Sequence, residues 1–245
     1  MRGLCRPFII VALRDYERTN FGERNVLWKL IGGIIMGKAL KFEKEISAIY
    51  IFCDIRDFSK KIKESSDEMK KILEVYYSLA LKVFGKFGSK TREDGTFKKI
   101  VKFIGDGFFC VNEYTDRLDL INRKMDESIK DISNFDKKFK ETITNLGLSE
   151  ISLPINLGFG INYGLSSKID INKYHTEYIG NIINVSSRLC DAAKPSGIII
   201  RKTDDIENFI NEKSLKDSFE HDYCDIKNGD KVEVYIAREI NFKNL

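Results

Sequence analysis

The sequence predicts an α+β sandwich, a layer of strands covered on one face by two or three helices. Short apolar runs with strand character alternate with longer stretches whose apolar residues recur every three or four positions. Glycine-bearing turns separate the two kinds of segment, and two aspartates, Asp54 and Asp106, stand at strand ends. From Ile46 the predicted order is strand, helix, strand, strand, helix, strand, helix, strand.

The first strand is the apolar run Ile46 to Cys53, which ends at Asp54. Ser65-Ser-Asp-Glu68 offers an N-cap and first-turn acids for a helix reaching about Phe87. Its apolar positions are Met69, Ile72, Leu73, Tyr76, Leu79, Ala80, Val83 and Phe87. Gly88 and Gly95 bracket the way to a hairpin of two runs, Phe97 to Ile104 and Phe108 to Val111, with Asp106 at its turn. A second helix is expected from about Asp116 to Asn145, apolar along Leu118, Ile121, Met125, Ile129, Ile132, Phe135, Phe139 and Ile143. Ile151 to Ile161 alternates and predicts a long strand. Asn181 to Ala193 is expected to be a helix, Lys194-Pro-Ser-Gly197 a turn, and Ile198 to Arg201 and Val232 to Ile236 the closing strands. Residues 1–43 carry no clear period and are expected to be an N-terminal arm on a main domain spanning 44–245.

Composition narrows the function classes. With 42% hydrophobic and 32% charged residues the chain can build and cover a core. Its net charge of +4 is the small remainder of 41 basic and 37 acidic residues, without a basic stripe, so no nucleic-acid partner is expected. The five cysteines are odd in number and widely spaced, which points to a reducing, cytoplasmic setting rather than a zinc site or a disulfide framework. Cys53 and Cys110 fall in apolar strands and are expected in the core, while His175 and His221 read as ordinary loop residues. No apolar run is long enough for a membrane span. Gly32-Gly-Ile-Ile-Met-Gly-Lys38 has the spacing of a phosphate-binding loop, but Ala39 stands where a hydroxyl must meet magnesium, and no strand precedes it. That loop is rejected.

The stronger constellation is Asp54, Lys102, Asp106, Glu177, Asn184 and Arg188, with Gly105, Gly107 and Gly180 at the turns. Carboxylates at strand ends can share hard cations, and shared cations handle triphosphates. Asn184 and Arg188 are four apart on a predicted helix, so an amide and a guanidinium project from one face. Phe52-x-Asp-Ile-Arg-x-Phe58, Lys102-x-x-Gly-Asp106 and Tyr178-Ile-Gly-Asn-Ile-Ile-Asn-Val-Ser-Ser-Arg188 resemble the catalytic domain of class III nucleotide cyclases. The likeness covers about Ile46 to Ala237.

That resemblance implies a ferredoxin-like βαββαβ core and a head-to-tail homodimer with two equivalent sites. It implies two magnesium or manganese ions held by Asp54, Asp106 and the Ile55 carbonyl. Asn184 would orient the ribose and Arg188 would neutralise charge on the α-phosphate. Phe58 would pack beside the nucleotide, and Lys227, in Ile226-Lys-Asn-Gly-Asp230, would contact terminal phosphates. The metal aspartates would come from one protomer, and Lys102, Glu177, Asn184 and Arg188 from the other.

Lys102 stands where the family reads the base, with lysine as in adenylate cyclases. Glu177 departs from their usual aspartate or threonine, and Asp57 from the usual glycine of the first motif. A lysine donor beside a glutamate acceptor suits adenine, cytosine and uracil. No sensor or membrane domain is seen in the chain, and in this it resembles the stand-alone pyrimidine cyclases of bacterial Pycsar anti-phage systems. Their cyclic UMP or cyclic CMP activates an effector protein, so a pyrimidine substrate is favoured over ATP. Diguanylate cyclases share a similar core, but their paired-glycine, acidic-pair signature is missing. Two-metal nucleases would not need the Asn184 and Arg188 pair. An inactive nucleotide-binding regulator would usually have lost a metal aspartate or the helix arginine, and both survive here.

Overall fold

A computed structural model describes residues 41–85, 99–114, 118–148, 155–172, 175–227 and 230–240. The elements are β1 (Lys41–Ile55), α1 (Phe58–Glu64), α2 (Ser66–Phe84), β2 (Lys99–Ile104), β3 (Gly107–Tyr114), α3 (Leu118–Asn145) and β4 (Leu157–Asn172). They continue with β5 (His175–Ile179), α4 (Asn181–Ala192), β6 (Gly197–Arg201), α5 (Asp204–Glu212), a 3₁₀ turn (Lys216–Ser218), β7 (Glu220–Lys227) and β8 (Asp230–Ala237). β1 reaches back to Lys41, so the last positions assigned to the arm are strand. The rest of the arm, its Gly32–Lys38 segment, and Phe87, Gly88 and Gly95 lie outside the described residues.

The expected α+β class holds. One sheet runs in the order β2-β3-β1-β4-β6-β8-β7, with β5 added to β4. Its part β4-β1-β3-β2, with α2 and α3 as the connecting helices, has the ferredoxin-like βαββαβ order. β4 and β6 pair in parallel, while β1 with β3 and β6 with β8 are antiparallel.

The period of two along β1 sends Ile49, Ile51 and Cys53 into the main core and Ala48 and Tyr50 to the other face. Buried Met69, Ile72, Tyr76, Ala80 and Phe84 make the core stripe of α2. Ile121, Met125, Ile129, Ile132, Phe135, Phe139 and Ile143 make that of α3, as the sequence predicts. Between these stripes Phe108 meets Phe135 edge-on at 5.5 Å, and Tyr76 lies 5.5 Å from each of them.

Helices occupy both faces of the sheet, not one. Val185 and Leu189 of α4 pack on Ile199, Val234 and Ile236, whose neighbours Ile198, Ile200 and Tyr235 point the opposite way into the main core. The separate small core explains the error: α4 has its own apolar stripe and covers the sheet where α2 and α3 do not.

Other boundaries shift for local reasons. α2 ends at Phe84 because Gly85 is extended (φ 176°, ψ 155°), and Ser65 makes no side-chain cap. β4 begins at Leu157 rather than Ile151 and runs on to Asn172. Its inward positions past Ile161 include polar residues, with Asn162 donating to the Ile182 carbonyl and Ser166 accepting from Tyr50, which hides the alternation. β7 is an edge strand of largely exposed polar residues and gives no apolar signal. His175 opens β5, and His221 lies in β7 with its Nε2 3.2 Å from Glu233, so neither is a loop residue. Cys53 and Cys110 are buried core residues. Among the described residues no helix is long and apolar enough to cross a membrane.

Candidate active site

Backbone pairing brings the two aspartates to one end of neighbouring strands. Asp54 is in register with Gly107 across β1 and β3, and the Ile55 amide donates to the Asp106 carbonyl at 3.3 Å. Gly105 takes φ +61°, which lets the β2–β3 hairpin turn tightly before Asp106. A Cβ on Gly107 would stand 2.5 Å from the Cys53 carbonyl, so the strands can close here only without a side chain. Tyr77 of α2 donates to the Gly105 carbonyl and packs on Phe103 at 4.3 Å, pinning the turn from the helix side.

Asp54, Ile55, Asp106 and half-buried Phe58 line one cavity of about 500 Å³. Burial, Asp106 and Asp191 push the Asp54 carboxyl up to about 6, against an opposing pull from Arg56. Two carboxylates and a backbone carbonyl are hard oxygen donors, and the repulsion between the acids is what a divalent cation would relieve. The donor set therefore fits a magnesium- or manganese-type ion.

A pH dependence follows. The folded chain holds the Asp54 proton more tightly than a free aspartate near 3.8, so the metal-free protein gains stability at this residue as pH falls from about 6 towards that value. A cation must displace the same proton below about 6. Mn²⁺ affinity, followed by electron paramagnetic resonance, is expected to fall roughly tenfold per pH unit below that point and to level off above it. A flat profile across that point would show that Asp54 does not take part.

Lys102 and Glu177 also come together. Lys102 of β2 points to the face that carries Tyr50 and Phe109, and its Nζ lies 2.8 Å from Glu177 Oε2 of β5 and 6.0 Å from the Tyr178 ring centroid. Asn184 and Arg188 are exposed on α4, where Arg188 Nη1 sits 3.2 Å from Asp191 Oδ2 one turn on. Lys227 ends β7 opposite Asp230 at a hairpin, after a register shift. Within one chain the nine candidates lie in an aspartate cavity, a lysine–glutamate pair, an exposed helix face and a hairpin end. α4 comes close to the aspartates: Ser187, Cys190 and Asp191 line a second pocket together with Asp54.

Among the other residues lining the cavity, Arg56 and Lys194 were not singled out by sequence reasoning, and Asp57 was noted only as a departure from glycine. Arg56 is buried beside Asp54, with its Nη1 3.4 Å from Oδ2. Asp57, the departure from glycine, takes φ 56° and ψ 23° at the start of α1; aspartate is among the few side chains that tolerate this left-handed conformation. Lys194 also lines the cavity, although its segment reads only as a turn. The left-handed demand at Asp57 was available in the motif, because a position usually filled by glycine implies positive φ.

Residues 42–238 match the model of the adenylate and guanylate cyclase catalytic domain. The chain belongs to this family. The cyclase has the fold of solved relatives: the guanylyl cyclase Cya2 matches with a TM-score of 0.57 at 18% identity, over 80% of this chain and 94% of that one. The adenylyl cyclase CyaB from P. aeruginosa matches with a TM-score of 0.57 at 18% identity, over 82% and 98%. A bacterial light-regulated adenylyl cyclase matches with a TM-score of 0.55 at 15% identity, over 97% and 67%. No curated protein matches the sequence. The protein is a nucleotide cyclase of the adenylate and guanylate class, and cyclases of this class use divalent metal ions.

Proposed function

We propose that this cyclase converts UTP or CTP to the 3′,5′-cyclic nucleotide and diphosphate, at two sites shared between the protomers of a head-to-tail homodimer. Its product would activate an effector protein in the manner of Pycsar anti-phage defence, within the cytoplasm. The ribose 3′-oxygen attacks the α-phosphorus, the bond to the bridging oxygen breaks, diphosphate leaves, and the hydroxyl proton passes to solvent.

Asp54, Asp106 and the Ile55 carbonyl would hold two Mg²⁺ or Mn²⁺ ions from one protomer. Ions bound there would lower the pKa of the 3′-hydroxyl and offset the triphosphate charge. Asn184 of the other protomer orients the ribose, and its Arg188 neutralises the charge that grows on the α-phosphate oxygens. Lys227 holds the terminal phosphates, and Phe58 packs beside the nucleotide.

The observation that carries the base preference is the 2.8 Å Lys102–Glu177 pair. Glutamate is one methylene longer than aspartate and here reaches the lysine directly. The Watson–Crick edge of a pyrimidine lies nearer the ribose than that of a purine, and the longer glutamate can reach into the space that a second ring would fill. Lysine then donates to uracil O4 or cytosine N3, and glutamate accepts from uracil N3–H or cytosine N4–H. ATP is the alternative substrate, since adenine N1 and N6–H offer the same pattern.

Purified protein with Mn²⁺ and each of the four nucleoside triphosphates, followed by chromatography of the products, separates these readings. Cyclic UMP or cyclic CMP is the expected main product. Cyclic AMP or cyclic GMP as the sole product would overturn the pyrimidine assignment.

A further inference from the structure

A buried cation, Arg56, has no part in the chemistry above. It is 5% exposed, and its Nη2 donates to the Cys190 carbonyl in the last turn of α4 at 2.5 Å while its Nη1 lies 3.4 Å from Asp54 Oδ2. The slot it occupies exists because residue 158 of β4 is glycine: a Cβ there would stand 1.5 Å from Nη2. Two residues on, a Cβ at Gly160 would stand 2.2 Å from the Cys190 amide nitrogen and from the Ser186 carbonyl oxygen, so α4 lies with its backbone directly on β4. Burying a guanidinium is costly, and Arg56 Nε is left without a hydrogen-bond partner among the described residues. A cation at the C-terminal carbonyls of a helix is well placed for the helix dipole, but an apolar side chain would fill the slot at lower desolvation cost.

We infer that Arg56 is a positioning residue: one guanidinium fixes the Asp54 carboxylate of β1 relative to the last turn of α4. The consequence for catalysis rests on the shared-site reading above. In that dimer each protomer gives its aspartates to one site and its α4 to the other, and Arg56 sets both contributions at once.

Two variants test this on the full chain. Arg56→Met fills the slot without charge; Gly158→Ala expels the guanidinium but keeps it in the protein, and it decides the matter if Arg56→Met fails to fold. In both, hydrogen exchange of the amides closing α4 at 190–194 is expected to rise about tenfold while the β1–β3 amides hold. Unchanged exchange in α4 would overturn the inference. The second arm mixes Asp54→Ala with Arg188→Ala protein and adds Arg56→Met, or Gly158→Ala, to the Asp54→Ala partner. That partner supplies only α4 to the working site, so Arg56 can act there only through the helix. Turnover of the mixture is expected to fall roughly 10- to 100-fold. Turnover within about twofold of the parent mixture would overturn the coupling. A silent parent mixture would count against shared sites instead, and the exchange result would still decide the role of Arg56.

Discussion

Asp106→Ala is expected to lower turnover by about a thousandfold or more, because a metal-held charge is worth several kcal/mol in the transition state and about 4 kcal/mol is a factor of a thousand. The fold should survive the change. The parts of Asp106 and its turn that hold the hairpin are backbone: the Asp106 carbonyl accepts from Ile55, and the Gly105 carbonyl from Tyr77. Removing the carboxylate also removes one of the charges that push Asp54 up to about 6, so the Asp54 pKa should fall toward its ordinary range. Lost activity with an unchanged or slightly raised melting temperature is therefore the expected pair of results. Product formation equal to that of the parent protein would mean that the activity came from a contaminant or from another site.

Arg188→Ala is the second large effect. A group that meets charge developing only in the transition state contributes to kcat far more than to substrate binding. Loss of one such donor costs on the order of 10²–10³ in kcat, and KM should change little. Within its own chain Arg188 makes an exposed ion pair with Asp191 at 3.2 Å, an interaction worth little to stability. Circular dichroism and melting should accordingly match the parent. A large rise in KM with kcat retained would place Arg188 in ground-state binding instead.

Much of this was legible in the sequence where apolar period and turn chemistry agree. The α3 stripe from Ile121 to Ile143 matches the expected positions, and that of α2 does so at Met69, Ile72, Tyr76 and Ala80, whereas Leu73, Leu79 and Val83 are only half-buried and Phe84 joins the core. The Gly105-Asp106-Gly107 hairpin was legible because its glycines meet a positive φ and a strand contact too close for a Cβ. Edges were not legible: β7 buries so few residues that it carries no apolar pattern. α1 was missed because its lysine-rich sequence shows no stripe, although Lys61 in it is buried. The second half of β4 was hidden by Asn162 and Ser166, whose burial depends on partners far along the chain.

The site divides in the same way. Residue identity, spacing and the family resemblance picked out the aspartates, Lys102 with Glu177, and the α4 face. They could not reveal that Lys102 and Glu177 meet at 2.8 Å across β2 and β5, or that Arg56 reaches the Cys190 carbonyl 134 positions away. Such contacts follow from sheet order, which periodicity does not encode. The same order sets the last turns of α4 beside Asp54, with Ser187, Cys190 and Asp191 lining one pocket with it.

Whether the aspartates work with the α4 face of their own chain or of a partner is tested most directly by complementation. Asp54→Ala and Arg188→Ala proteins, each inactive alone and each shown to be folded and dimeric, are mixed and assayed with Mn²⁺ and the preferred triphosphate. Random pairing leaves half of the dimers mixed, each with one intact site of two, so activity is expected to return to roughly a quarter of the parent value. No recovery, with mixed dimers demonstrably formed, would contradict a site built from the aspartates of one protomer and the α4 face of its partner.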